Sequence, residues 1–289
     1  IKLLDEDLLT NLNEVQLRNG LRPSPVLGDL NFTVEMETGT GKTYVYLRSI
    51  FEMNQRYGFT KFIIVVPSIA IKEGTNKSLE ITEDHFKGLY DNVRFDFFVY
   101  DSQKLGQVRN FATSDCIQIM VINIDAFRRS FEDPTKESKA NIIHRAHDRM
   151  MGAKPIDFMR DTNPIVIIDE PQSVDNTPKS AKAIASLKPL CTFRYSATHR
   201  EKHHPIFRLD SVDAYERKLV KQIEVAGITV EDSDNHAYVR LVSVDNRSGG
   251  ISAKVELGVH KGGAVQRQVK KVKRGSDLCE LSGGREVYD

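Results

Sequence analysis

Lys42, preceded by Gly39 and Gly41 and followed by Thr43, is the first place in this chain where residue type and spacing suggest chemistry. Two glycines one residue apart relax the backbone, so that successive N–H groups can turn inward around an anion. The lysine adds a point charge, and the threonine offers a hydroxyl to a metal ion. Thr38, Gly39, Thr40, Gly41, Lys42 and Thr43 therefore read as a phosphate cradle at a helix N-terminus. The plainer reading is a glycine-rich turn that binds nothing. The apolar run before the loop and the amphipathic stretch after it favour the cradle, because strand, loop and helix are the setting the motif needs. One departure is Met36, which stands where the widespread form of the pattern begins with glycine.

A second constellation lies in PIVIIDEPQS. Ile165 to Ile168 place Asp169 at the carboxyl end of a buried strand, where open α/β sheets collect their ligands. A carboxylate there can hold Mg²⁺, largely through water, opposite the Thr43 hydroxyl. Glu170, next in the chain, could orient or deprotonate an attacking water. Two adjacent acids can also serve simply as the charged start of a helix; their position after a phosphate loop is what raises the catalytic reading. Third, FRYSATH puts Ser196 and Thr198 just past another strand, within reach of such acids, although a capping turn explains three small residues equally well.

The elements that must position these groups are short apolar runs: the run starting at Phe32, Lys61 to Pro67, Phe95 to Tyr100, Ile117 to Ile122, Pro164 to Ile168 and Cys191 to Tyr195. Alternating with helical patterns, they predict a parallel sheet covered on both faces. Tyr44, Leu47, Ile50 and Phe51 have helical spacing after the loop. Residues 1–30 read as a helix and a loop, 31–227 as the α/β lobe and 228–289 as a small β-rich module, incomplete as it stands. Arg128 to Asn163 reads as a charged insertion, with His144 and His147 on a solvated helical face rather than in a metal site.

Five segments in order, METGTGKT, VVPSIAIKEG, INIDAF, IIDEPQS and RYSATH, resemble helicase motifs I, Ia, Ib, II and III. The Glu-Pro-Gln after Asp169 resembles the ATPase (Res) subunit of type III restriction enzymes, a superfamily 2 helicase-like protein, and LDSVDAYERKLVKQIEV is similar to that family as well. The likeness spans about Asn31 to Val225. It implies a RecA-like P-loop lobe binding ATP and Mg²⁺, working on DNA beside a methyltransferase (modification) subunit in a bacterial or archaeal cytoplasm. By the same resemblance Lys42, Asp169 and Glu170 are catalytic, Thr43 and Asp169 hold the metal, and Gln172, Ser196 and Thr198 couple nucleotide state to DNA. Pro67, Ser68, Lys72 and Asn123 are carried towards the DNA backbone, where amides, hydroxyls and a lysine suit phosphate contact.

The bulk numbers agree with such a protein without demanding it. Lys plus Arg total 41 against 40 for Asp plus Glu, so any DNA contact must come from local patches rather than a global field. Three scattered cysteines suggest neither a disulfide framework nor a zinc site and fit a reducing cytoplasm. No segment is apolar enough to span a membrane, and no signal peptide is read. A second motor lobe with its arginine finger, and a nuclease, are not found after Val225. The chain starts at Ile1, and a fragment of a longer protein is expected, poor as an ATPase by itself. The basic run Arg267 to Gly275 is either a hairpin on DNA phosphates or a solvated strand face. Other superfamily 2 helicases, and an ATP-gated DNA-binding module without turnover, are the competing functions. Lys42 is expected to be solvent-accessible in the empty loop.

Overall fold

The computed structural model describes residues 4–128, 139–175, 177–221, 237–246 and 250–288. The chain divides into two compact units, Ile1–Gln222 and Ile223–Asp289. In the first, helices and strands alternate: α1 (Asp5–Arg18), β1 (Asn31–Met36), α2 (Lys42–Tyr57), β2 (Lys61–Val66), α3 (Ile69–Leu89), β3 (Phe95–Val99), α4 (Leu105–Thr113) and β4 (Ile117–Asn123). There follow α5 (Asp125–Arg128), α6 (Pro155–Asp161), β5 (Ile165–Asp169), α7 (Pro171–Val174), α8 (Pro178–Ala185), β6 (Cys191–Ser196), β7 (Pro205–Leu209) and α9 (Ser211–Glu216).

Seven strands form one sheet in the order β3-β4-β2-β5-β6-β1-β7, with every pairing parallel. Period-two alternation along the central strands explains why their sequences are apolar throughout. Phe62, Ile64 and Val66 of β2 join Ile167 of β5 on the face covered by Leu47, Ile50 and Phe51 of α2 and Phe86 of α3. The intervening Ile63 and Val65 pack with Ile168 on the opposite face, against Val108 and Phe111 of α4, Met159 of α6 and Ile184 of α8. Phe51 anchors the first layer, stacked on Phe86 with centroids 4.6 Å apart. Pro67 follows the last residue of β2, and Ser68 caps α3 by accepting the Ile71 amide at 3.3 Å. The parallel sheet with helices on both faces expected of a RecA-like lobe is present.

Two features add to the sequence reading and one corrects it. The edge strand β7 was not anticipated. It pairs with β1 and is held by α1, whose Gln16 Nε2 donates to the Pro205 carbonyl at 2.9 Å. The described part of the charged stretch also contributes to the core, with Ile143, Met150, Ile156 and Met159 buried in the second layer. His144 and His147 do not share a helical face: His144 ends a 3₁₀ turn (Lys139–His144), and His147 precedes another (Asp148–Met150). Among the described residues no group of three or more His, Cys, Asp or Glu could hold a metal ion.

The second unit contains β8 (Val239–Asp245), β9 (Ser252–Lys261), β10 (Ala264–Lys273) and α10 (Leu278–Leu281), its strands forming an antiparallel sheet β10-β9-β8. Val255, Leu257 and Val259 make its small core, with Val272 and Tyr288 against them. The Tyr288 phenol accepts the Gly258 amide at 2.9 Å and donates to the Tyr238 carbonyl at 2.9 Å, sealing the sheet where β8 begins. Arg267, Lys271 and Lys273 are exposed along β10, so the basic run is one strand of a hairpin with a solvated face. The first part of the expected β-rich module, 228–236, lies outside the described residues.

Candidate functional site

Most motif residues fall at the carboxyl edge of the large sheet, because they end a parallel strand or lie just after it. In the order of the strands the edge carries Asn123 (β4), Pro67 and Ser68 (β2), Asp169 and Glu170 (β5), Ser196 (β6) and the loop Glu37 to Gly41 (β1). The loop is shaped by Gly39 and Gly41, whose φ angles of 83° and 88° lie in the left-handed region that suits glycine. Gly41 is the N-cap of α2, so the helix begins at Lys42 with no side chain occupying its end. Thr40 closes the turn through its hydroxyl, which donates to the Glu37 carbonyl at 2.6 Å. Thr38, Gly39 and Gly41 are exposed, as a cradle must be. The Thr38 amide donates to the Glu37 carboxylate at 2.8 Å, so an anion of the chain itself occupies one of the loop's donors.

Lys42 departs from expectation. Its side chain is only 13% exposed because it pairs with Glu170 across the edge. The other Glu170 oxygen accepts from Gln172 Nε2 at 2.6 Å and from the Ser196 hydroxyl at 2.7 Å. Burial alone would raise the Glu170 carboxyl, but these three donors more than offset it and hold the group below the usual glutamate range. Glu170 adopts φ 55° and ψ 62°, a left-handed conformation at the N-cap of α7, while its amide still bonds the Tyr195 carbonyl at 2.9 Å. Ser196 is wholly buried, and its oxygen accepts the Thr198 amide at 3.1 Å.

Asp169 behaves oppositely. It is 6% exposed, and burial pushes its carboxyl up to about 6, with Lys42 opposing the rise and Glu170 adding to it. Oδ2 accepts from the Tyr46 hydroxyl at 3.4 Å, whereas Oδ1 is buried and has no hydrogen-bond partner among the described residues. An orphaned carboxylate oxygen beside a phosphate loop and the Thr43 hydroxyl fits a hard cation completed by water and phosphate oxygens.

The proposed DNA residues Pro67, Ser68 and Asn123 stand next to one another, since Val66 and Asn123 are paired in register. Their polar atoms have local uses. Ser68 caps α3, Asn123 Oδ1 accepts the Asp125 amide at 2.8 Å, and Lys72 lies 3.4 Å from its neighbour Glu73.

Sequence reasoning passed over three groups. Tyr46 and Thr75 meet behind Asp169, with their oxygens 3.3 Å apart. Arg194 of β6 pairs with Asp175 beyond α7 and donates to Asn31 at 3.1 Å, beside a hollow of about 440 Å³ that Gln172 and His199 also line. The one available signal was the position of Tyr46 three residues after Thr43, on the same helical face.

A glycine loop facing an acidic strand end in a parallel sheet defines the P-loop class of α/β proteins. Within that class, residues 8–201 match the family model "Type III restriction enzyme, res subunit", and the chain belongs to this family. It is 30% identical to the Res subunit of the type III restriction-modification enzyme StyLTI from Salmonella typhimurium, over 90% of this chain and 27% of that protein. It is 29% identical to the EcoP15I Res subunit from Escherichia coli, over 77% of this chain and 24% of that one. The chain thus spans about a quarter of the length of these curated relatives. Among solved structures, a nuclease-deletion mutant of the Type ISP restriction-modification enzyme LlaGI in complex with a DNA substrate mimic matches 76% of this chain and 21% of its own, at 15% identity and a TM-score of 0.44.

Proposed function

We propose that this chain is the ATP-binding motor lobe of a type III restriction subunit, coupling hydrolysis of Mg-ATP to movement along, or switching on, DNA. The observation that carries the reading is the meeting of Lys42, Glu170, Gln172 and Ser196 at one sheet edge beside an Asp169 oxygen with no partner among the described residues. Thr38 to Gly41 would cradle the triphosphate with backbone amides, once Glu37 yields its hold on the Thr38 amide. Lys42 would leave Glu170 for the outer phosphates, a stronger charge-assisted partner. Glu170, released from the lysine but still held by Gln172 and Ser196, would accept a hydrogen bond from the attacking water and align it. Asp169 and Thr43 would hold Mg²⁺, which when bound neutralises charge on the phosphate oxygens. Ser196 and Gln172 would then register the state of Glu170, and Pro67, Ser68, Lys72 and Asn123 would meet DNA phosphates at the neighbouring strand ends.

The remaining length of the relatives leaves room for a second lobe supplying an arginine finger and for a nuclease. We propose both for the full-length protein, together with a methyltransferase partner that reads the target sequence. An arginine finger contributes about 10³ to 10⁵ in rate, so the present chain by itself would hydrolyse ATP poorly. The test is DNA-stimulated phosphate release by the full-length protein and its Lys42→Ala variant. The variant should retain its fold and lose ATP-dependent activity. Normal turnover in Lys42→Ala would refute the site. Nucleotide binding without DNA-stimulated release in the wild type would favour an ATP-gated DNA-binding module.

A further inference from the structure

Tyr46 is wholly buried, and no step of the proposed chemistry uses it. Its place three residues after Thr43 on α2 sets it one helical turn behind the phosphate loop. The ring is fixed edge-on against Tyr195, with centroids 5.5 Å apart and planes at 64°. A phenylalanine would satisfy that packing equally well, so the hydroxyl needs its own explanation, since buried hydroxyls are kept where they have partners. Partners lie on two sides: Asp169 Oδ2 at 3.4 Å and Thr75 Oγ1 at 3.3 Å, with the Thr43 hydroxyl adjoining. Thr75 is itself buried and belongs to α3, one turn beyond Lys72.

We propose that the Tyr46 hydroxyl positions the metal-binding carboxylate and ties it to α3, so that occupancy of the nucleotide site is transmitted to the face that meets DNA. The inference rests on the ATPase reading above and deepens it. A phenol has one proton to give. Donated to Asp169 Oδ2, that proton fixes one oxygen and leaves Oδ1 available to the cation. Thr75 then donates to the phenol oxygen, and a chain of hydrogen bonds runs from Asp169 through Tyr46 to α3. A cation that draws Asp169 towards it pulls on this chain, and the helix bearing Ser68 and Lys72 receives the pull. Tyr46 is in this sense a positioning residue, acting through Asp169 and not on the reacting atoms.

The test compares Tyr46→Phe, Thr75→Val and Lys42→Ala in the full-length protein by three measurements. These are Mn²⁺ binding in the presence of ADP, read by electron paramagnetic resonance; DNA affinity with and without a non-hydrolysable ATP analogue; and the melting temperature without nucleotide. Tyr46→Phe should weaken Mn²⁺ binding by roughly tenfold to a hundredfold, the usual cost of losing a group that orients a metal ligand, while melting as the wild type does. Thr75→Val should leave Mn²⁺ binding unchanged and erase the difference in DNA affinity between the two nucleotide states. Wild-type Mn²⁺ binding in Tyr46→Phe overturns the positioning role. A preserved nucleotide-dependent change in DNA affinity in Thr75→Val overturns the tie to α3, and this variant decides alone if Tyr46→Phe fails to fold. Undiminished ADP and Mn²⁺ binding in Lys42→Ala would instead sink the underlying reading of the phosphate loop.

Discussion

At the β1–β5–β6 end of the carboxyl edge, Lys42 meets Glu170 across 128 residues of chain, and Ser196 reaches Glu170 across 26. At the β2–β4 end, Ser68 bonds three residues on and Asn123 two residues on, and Lys72 lies beside its immediate neighbour. The first set depends on the whole sheet being assembled, and turn formation explains none of it. The second set is fully accounted for by helix capping and turns. Long-range polar contact at a strand edge therefore marks the half of this molecule where structure alone supports a chemical role. The half proposed to touch DNA draws its support from neighbourhood and from the family.

Glu170→Gln should break the first half most severely. The amide keeps the size of the side chain and removes the carboxylate, so turnover in the full-length protein should fall by about 10² to 10⁴, the usual worth of a positioned acid–base group. Affinity for Mg-ATP should survive, because on the proposed reading Asp169 and the loop would still hold it. Phosphate release and nucleotide affinity, measured together with DNA present, check both statements.

Asp169→Asn should act on stability as well as on magnesium dependence. Burial pushes the folded carboxyl up to about 6 from an ordinary value of 3.8, so the folded state holds its proton more tightly than the unfolded one. That contribution is fully present below pH 3.8 and is lost as the pH rises through about 6, above which the buried carboxylate opposes folding. Asparagine removes the burden, and the metal-free variant should be more stable than wild type above pH 6, by roughly 1 to 3 kcal/mol. The gain should vanish near pH 4. Thermal melts across this range, without nucleotide or metal, give the sign directly.

The smallest effect is expected at the other end of the edge. Lys72→Ala should weaken DNA binding about equally for all sequences and flatten the dependence of log affinity on log salt by roughly 0.9, the signature of one phosphate contact. A salt slope identical to wild type would leave Lys72 as the surface partner of Glu73 and nothing more.

The contrast also explains what was legible in the sequence. The phosphate loop is local: two glycines, a lysine and a threonine within five residues state the turn, and flanking apolar runs state the strand and helix. Asp169 was legible because a continuous Ile-Val-Ile-Ile run fixes where β5 ends. The strand β7 was not, because Pro205 at its start and Arg208 within it disguise a strand that stands at the edge of the sheet among the described residues. Ile143 and Met150 were hidden for another reason, since 3₁₀ turns carry no 3.6-residue period and their apolar residues are diluted by charge. The pairing of Lys42 with Glu170, which leaves the lysine little exposed, was not legible, for the motifs bring both residues to one edge while their packing there decides which charges pair.

The backbone of Glu170 has a consequence for anyone improving this protein by selection. With φ at 55°, it sits where an L-residue with a Cβ is penalised by about 1 to 2 kcal/mol and glycine is not. Glycine would relieve that strain but leave Lys42, Gln172 and the buried Ser196 without their shared carboxylate, so a library screened for heat resistance would be held to the acid at this position despite its backbone. Ranking variants by melting temperature would thus retain Glu170 for its three partners alone, and only a paired readout of turnover would separate that structural hold from the proposed part in hydrolysis.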